Sequence, residues 1–168
     1  MLTLIQNIEC YSPSPLGKRD IVIAGTQIYR ILPPGTAAEH DLFERVIPGE
    51  DLYAFPGLID QHVHITGGGG EEGFASRLPP IGIEEIRGAG VTTLVGLLGA
   101  DGYTRSLMDL YAKAKELEAL GITTHIYSGS YAMPPVTFTG RMQTDIILVD
   151  KVIGAGEIAI SDPRSSHP

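Results

Sequence analysis

Tryptophan is absent, cysteine occurs once, and only 19% of the 168 residues are charged. Each shortage excludes something. Cys10 has no second cysteine to pair with, so the chain is not a disulfide-stapled secreted scaffold. It is expected to pack as a small hydrophobe near the amino terminus. Basic residues number 12 against 20 acidic ones, for a net charge of −8. They are scattered, rarely adjacent as at Lys18-Arg19, and form no patch suited to a phosphate backbone, which argues against a nucleic-acid partner. No stretch approaches the ~20 apolar residues of a spanning helix. The start, Met1-Leu2-Thr3-Leu4-Ile5, lacks the basic leader and long apolar run of a signal peptide. A soluble, cytoplasmic protein without a membrane partner is expected.

What the sequence does have is glycine, 21 residues of it, a few of them placed periodically. Gly90-Val91-Thr92-Thr93 recurs as Gly121-Ile122-Thr123-Thr124, 31 positions later. Gly57-Leu58-Ile59 lies 33 positions before the first copy, and Gly154 lies 33 after the second. A period near 30 is that of successive strand-plus-helix units in a parallel α/β fold. The implied strands are Leu58–His64, Val91–Leu98, Ile122–Ser128 and Gly156–Ser161. Between Thr104 and Leu120 the residues Leu107, Leu110, Tyr111, Ala114 and Leu117 make a helical stripe, stopped by Gly121. A shorter helix is expected around Ile83–Arg87. About four such units fit into residues 56–168, whereas a closed eight-stranded barrel takes about 250 residues. The alternatives are a small open sheet or half of a barrel, and the ending just past the fourth strand reads as incomplete.

Residues 1–55 read differently. Leu2–Ile5, Asp20–Ala24, Tyr29–Leu32 and Arg45–Pro48 are short strand-like runs, with a turn over 12–17. Strands so few and short are expected to pair with something else, later in the chain or on a partner.

The sharpest chemical signal is Pro56-Gly57-Leu58-Ile59-Asp60-Gln61-His62-Val63-His64. On a strand, residues two apart face the same way, so His62 and His64 project together and can hold one divalent cation. A bare His-x-His reads equally as two unrelated polar residues; the Pro-Gly turn before it and the glycine run after it favour the metal. Gly67-Gly68-Gly69-Gly70-Glu71 taken alone is more often a linker, but directly after a strand end it lies where parallel α/β folds build sites. On a strand Glu157, Ala159 and Ser161 would share a face, where the carboxylate needs a metal or partner unless that edge is open to solvent. Tyr131 and Arg164 also fall just past strand ends, and an Arg fork there suits a carboxylate.

Together these motifs resemble the amidohydrolase superfamily of metal-dependent barrel hydrolases, and within it the isoaspartyl dipeptidase branch. Pro56–His64 resembles the family's first-strand motif. The run through Gly67–Glu71, with Val95-Gly96-Leu97-Leu98-Gly99 and Ile160-Ser161-Asp162-Pro163-Arg164-Ser165, narrows it to the branch. The resemblance implies the first half of a (β/α)8 TIM-like barrel over 56–168, preceded over 1–55 by strands of a small β-sandwich. It implies two divalent metal ions, zinc being the expected species, with His62, His64 and Glu157 as ligands and Glu157 bridging. Gly69, Gly70, Glu71, Ala100, Tyr131 and Arg164 would bind substrate, Glu71 taking its α-amino group and Tyr131 serving the scissile carbonyl. Ala100 stands where a hydroxyl residue is usual, leaving that contact to backbone, and Pro163 stands where a His is usual. The remaining ligands, two His and a catalytic Asp, come from later strands of the family. The implied activity is hydrolysis of β-aspartyl dipeptides by a metal-activated hydroxide, in a homo-oligomer at full length, with these 168 residues inactive alone. A dihydroorotase-like or deacetylase amidohydrolase, or a non-catalytic half-barrel, is the alternative.

Overall fold

The computed structural model describes residues 1–37, 40–70 and 72–159. The chain divides into two compact units, Met1–Pro56 and a second beginning at Gly57.

In the first unit, β1 (Leu2–Tyr11), β2 (Pro15–Ala24), β3 (Gln27–Leu32) and β4 (Arg45–Pro48) form one sheet in the order β3-β2-β1-β4, and β5 (Tyr53–Ala54) also pairs with β1. The expectation that these strands need outside partners is corrected: they pair with one another. The reason is length. β1 and β2 each run 10 residues, through polar stretches that hydropathy alone broke up, and the turn shrinks to Ser12–Ser14. β1 survives its polar middle through a bulge between Ile5 and Ile8, where Asn7 adopts φ 58°. The buried Asp20 carboxylate pins it, accepting from Asn7 N at 2.9 Å and Gly35 N at 2.8 Å. Cys10 is buried with Ile8 and Ile21, as a small hydrophobe.

The second unit is a four-stranded parallel sheet in the order β6 (Leu58–Val63), β7 (Val91–Gly96), β8 (Thr123–Ser128), β9 (Val152–Ala155). This is the partial barrel expected, but the fourth strand is displaced. Val152 pairs with Ile126, Gly154 with Tyr127 and Ala155 with Ser128. Register to β8 therefore places the strand before Gly156, not from it. Glu157 accordingly does not sit within an alternating strand; it follows a strand's carboxyl end. Ile160 and Ser161 lie outside the described residues.

Helix α1 (Ile83–Gly88) and α2 (Leu107–Ala119) follow the predicted stripes, while α3 (Met142–Leu148) was not foreseen. α2 begins at Leu107 rather than Thr104 because Ser106 caps it, accepting from Asp109 N at 3.1 Å. Its stripe, Leu107, Leu110, Ala114 and Leu117, packs with Leu94, Ile126 and Val152 of the sheet. Leu110 is wholly buried there. Leu110→Ala is expected to cost roughly 2–5 kcal/mol, lost contacts plus a cavity, read as a lowered urea midpoint at unchanged m-value. No helix among the described residues is long and apolar enough to cross a membrane.

Candidate metal centre

Because the four strands are parallel, their carboxyl ends lie at one edge of the sheet, where α/β folds gather functional groups. His62 and His64 come from the end of β6, Tyr131 from the loop after β8, and Glu157 from two residues past β9. Their side chains converge. His62 Nε2 and His64 Nε2 stand 3.6 and 3.9 Å from Glu157 Oε2, and Tyr131 donates its hydroxyl to Glu157 Oε1 at 3.1 Å. The two imidazoles meet edge to face, 5.5 Å between centroids.

One donor atom each from His62, His64 and Glu157 fall within 4.8 Å of one another. Metal–ligand bonds of about 2 Å bring such a set within reach of one cation after small side-chain shifts. Two imidazole nitrogens and a carboxylate fit a zinc-type ion by chemistry as well as by spacing. No other cluster of this kind occurs among the described residues.

The surroundings hold this geometry. Gly99, at φ +66°, presses its backbone against His64: a Cβ there would overlap the imidazole and lie 3.2 Å from Glu157 Oε2. Gly99 O also accepts from Tyr131 N at 3.0 Å, tying the Tyr131 loop to the end of β7. Gly156 N donates to Ser128 O at 2.9 Å, fixing the approach to Glu157. Further along the Tyr131 loop, buried Asp145 of α3 accepts from Ser128 Oγ, Phe138 N, Thr139 N and Thr139 Oγ1. Burial would raise its pKa, but these four donors outweigh it and hold the carboxyl below its ordinary value.

The glycine run lies beside His64. Gly69 and Gly70 line a cavity of about 300 Å³ with Ala100, Phe74, Arg77, Asp101, Tyr103 and Thr104. Three residues singled out from sequence for substrate, Gly69, Gly70 and Ala100, are thus brought to one cavity. Glu71 and Arg164 lie outside the described residues. Sequence reading passed over the charged residues here. Arg105 is buried and bonds to the glycine loop, and Asp101 collects Tyr103 N, Thr104 N and the Thr104 hydroxyl. Burial works to raise the Asp101 pKa, yet these donors and the Arg105 charge leave it lowered. The available signal was an Asp and an Arg four apart in a segment just before a helix.

No protein-family profile matches the chain. Solved structures do. The chain is 52% identical to the β-aspartyl dipeptidase of thermophilic, keratin-degrading Fervidobacterium islandicum AW-1, with TM-score 0.90 over 100% of this chain and 46% of that one. It is 51% identical, with TM-score 0.89, to the same organism's β-aspartyl dipeptidase in complex with a β-Asp-Leu dipeptide, over 100% of this chain and 44% of that one. This chain belongs to the β-aspartyl dipeptidase family. It spans slightly under half the length of those relatives. A D-hydantoinase from Thermus sp., at 23% identity and TM-score 0.54 over 88% of this chain and 31% of that one, shares the fold.

Within the cluster's surroundings, Gly99 is a sensitive position. Gly99→Ala must displace the His64 ring and strains a positive-φ backbone, so metal affinity is expected to fall roughly 10–100-fold, as when supporting groups around metal ligands are lost. Competition with a chromogenic chelator measures this; wild-type affinity in the variant would show that His64 is not a ligand.

Proposed function

We propose that the full-length protein carrying this sequence hydrolyses β-aspartyl dipeptides, using divalent cations held in part by His62, His64 and Glu157. The observation that carries the reading is that His2Glu cluster, with Tyr131 on its carboxylate, in a chain 52% identical to a β-aspartyl dipeptidase. His62 and His64 would hold one cation and Glu157 would be shared with a second, zinc suiting the donor set. When bound, such cations supply a hydroxide nucleophile near neutral pH and polarise the amide carbonyl.

The chain's own residues do the rest. Tyr131, whose hydroxyl donates to the cluster's carboxylate, serves the carbonyl oxygen as negative charge develops. Gly69, Gly70 and Ala100 present backbone to the substrate in the cavity they line. Glu71 takes the α-amino group and Arg164 a carboxylate. The same reading makes the protein a cytoplasmic homo-oligomer without nucleic-acid or membrane partners. It also leaves residues 1–168 inactive by themselves, since three of the expected metal ligands fall among the described residues and none is assigned to protonate the leaving amine.

The test uses the protein as its own cell produces it, loaded with zinc. β-Asp-Leu should be cleaved and α-Asp-Leu hardly at all, with activity abolished by chelation and restored by metal. Equal rates on the two peptides would sink the proposal.

A further inference from the structure

We infer that Arg105 is a positioning residue for the substrate cavity, its buried guanidinium setting the spacing of the two loops whose backbone lines it. The inference rests on the dipeptidase reading above. Arg105 is only 6% exposed. Its Nε donates to Thr66 O at 3.1 Å, and its Nη2 to Gly68 O at 3.2 Å and Leu78 O at 3.1 Å. Those carbonyls stand at both ends of the glycine loop, Thr66 and Gly68 where it leaves β6 and Leu78 where it returns. Leu78 N donates back to Gly68 O at 2.9 Å, and Gly69 bridges to Arg77, so the loop closes around the guanidinium.

The remaining donor, Nη1, reaches across to Asp101 Oδ2 at 3.1 Å on the loop after β7. That loop supplies Ala100, Asp101, Tyr103 and Thr104 to the cavity, while the glycine loop supplies Gly69 and Gly70. A planar fork thus fastens both walls at once. Gly67, Gly69 and Gly70 all have positive φ and bring no side chains of their own to anchor the loop. The guanidinium supplies what they lack. A second, more exposed link runs from Arg77 to Asp101 and Thr104.

Lys in place of Arg keeps the charge but concentrates its donors on one atom, which cannot span carbonyls on one loop and a carboxylate on the other. In the full-length, metal-loaded protein, Arg105→Lys is expected to raise KM for β-Asp-Leu on the order of 10-fold, with kcat per folded molecule changed about two-fold or less. Amide hydrogen exchange should accelerate over residues 66–70 and 76–78 and stay unchanged over 107–119. A purely structural role would reduce the amount of folded protein and leave KM alone; unchanged KM and unchanged loop exchange overturn the inference. If Arg105→Lys does not fold, Asp101→Asn takes its place in both measurements, and an unaltered KM there is equally fatal. Should the wild type fail to hydrolyse β-Asp-Leu, the dipeptidase reading falls, and the exchange measurement alone decides for or against Arg105.

Discussion

Glu157→Gln is expected to remove bound metal and the proposed hydrolysis together while leaving the fold intact. Glu157 Oε2 faces both imidazoles, at 3.6 and 3.9 Å, and its Oε1 receives the Tyr131 hydroxyl, so the carboxylate is the shared anion of the cluster. Gln keeps the volume and one carbonyl oxygen but loses the charge, and its amide nitrogen turns donors toward any cation. Groups that merely support ligands are worth about 10–100-fold in metal affinity, so loss of the ligand charge itself should exceed about 100-fold, with turnover falling in step. Glu157 sits past the end of β9 and its side chain is 31% exposed, so in the metal-free protein stability should move by no more than about 1 kcal/mol. Metal content by atomic emission, activity and a urea midpoint on the same preparation separate these effects. A variant that retains its metal and its turnover would remove Glu157 from the centre.

How much of this was legible beforehand depended on which physical signal each residue left in the sequence. The period-2 logic that paired His62 with His64 needs only a strand, and the strand is there. The helical stripe from Leu107 to Leu117 likewise reports a buried face directly. Glu157 was found for a partly mistaken reason. Ile158-Ala159-Ile160 looked like the strand core, whereas pairing to β8 selected Val152–Ala155, a choice set by register between distant segments. α3 was invisible because its packing depends on Asp145, a buried acid that hydropathy counts as surface. Arg105 was missed for the same reason: a guanidinium satisfied by backbone carbonyls looks, in one dimension, like any solvent-facing charge. The strands of the first unit were undervalued because Asn7 and Asp20, polar in sequence, act together to carry β1 across its bulge.

Tyr131→Phe tests which of two jobs the hydroxyl does. One job is to steady Glu157, to which it donates at 3.1 Å. The other is to turn toward the substrate carbonyl as charge develops there. The backbone around Tyr131 is fixed independently of its hydroxyl, by Tyr131 N on Gly99 O and by the Asp145 contacts with Phe138 and Thr139. Phe should therefore keep the ring in place and delete only the donor. If the hydroxyl serves the oxyanion, kcat falls roughly 10²–10³-fold even at saturating metal, and KM hardly moves, because the interaction strengthens only in the transition state. If it only steadies Glu157, metal affinity falls roughly 10–100-fold and excess metal restores kcat. The proposed mechanism expects the first result. The position supports it, since Glu157 already has two imidazoles on its other oxygen to orient a shared cation. Steady-state kinetics across a zinc titration distinguish the two, and recovery of kcat with added metal would assign Tyr131 to the ligand shell's support rather than to the reaction.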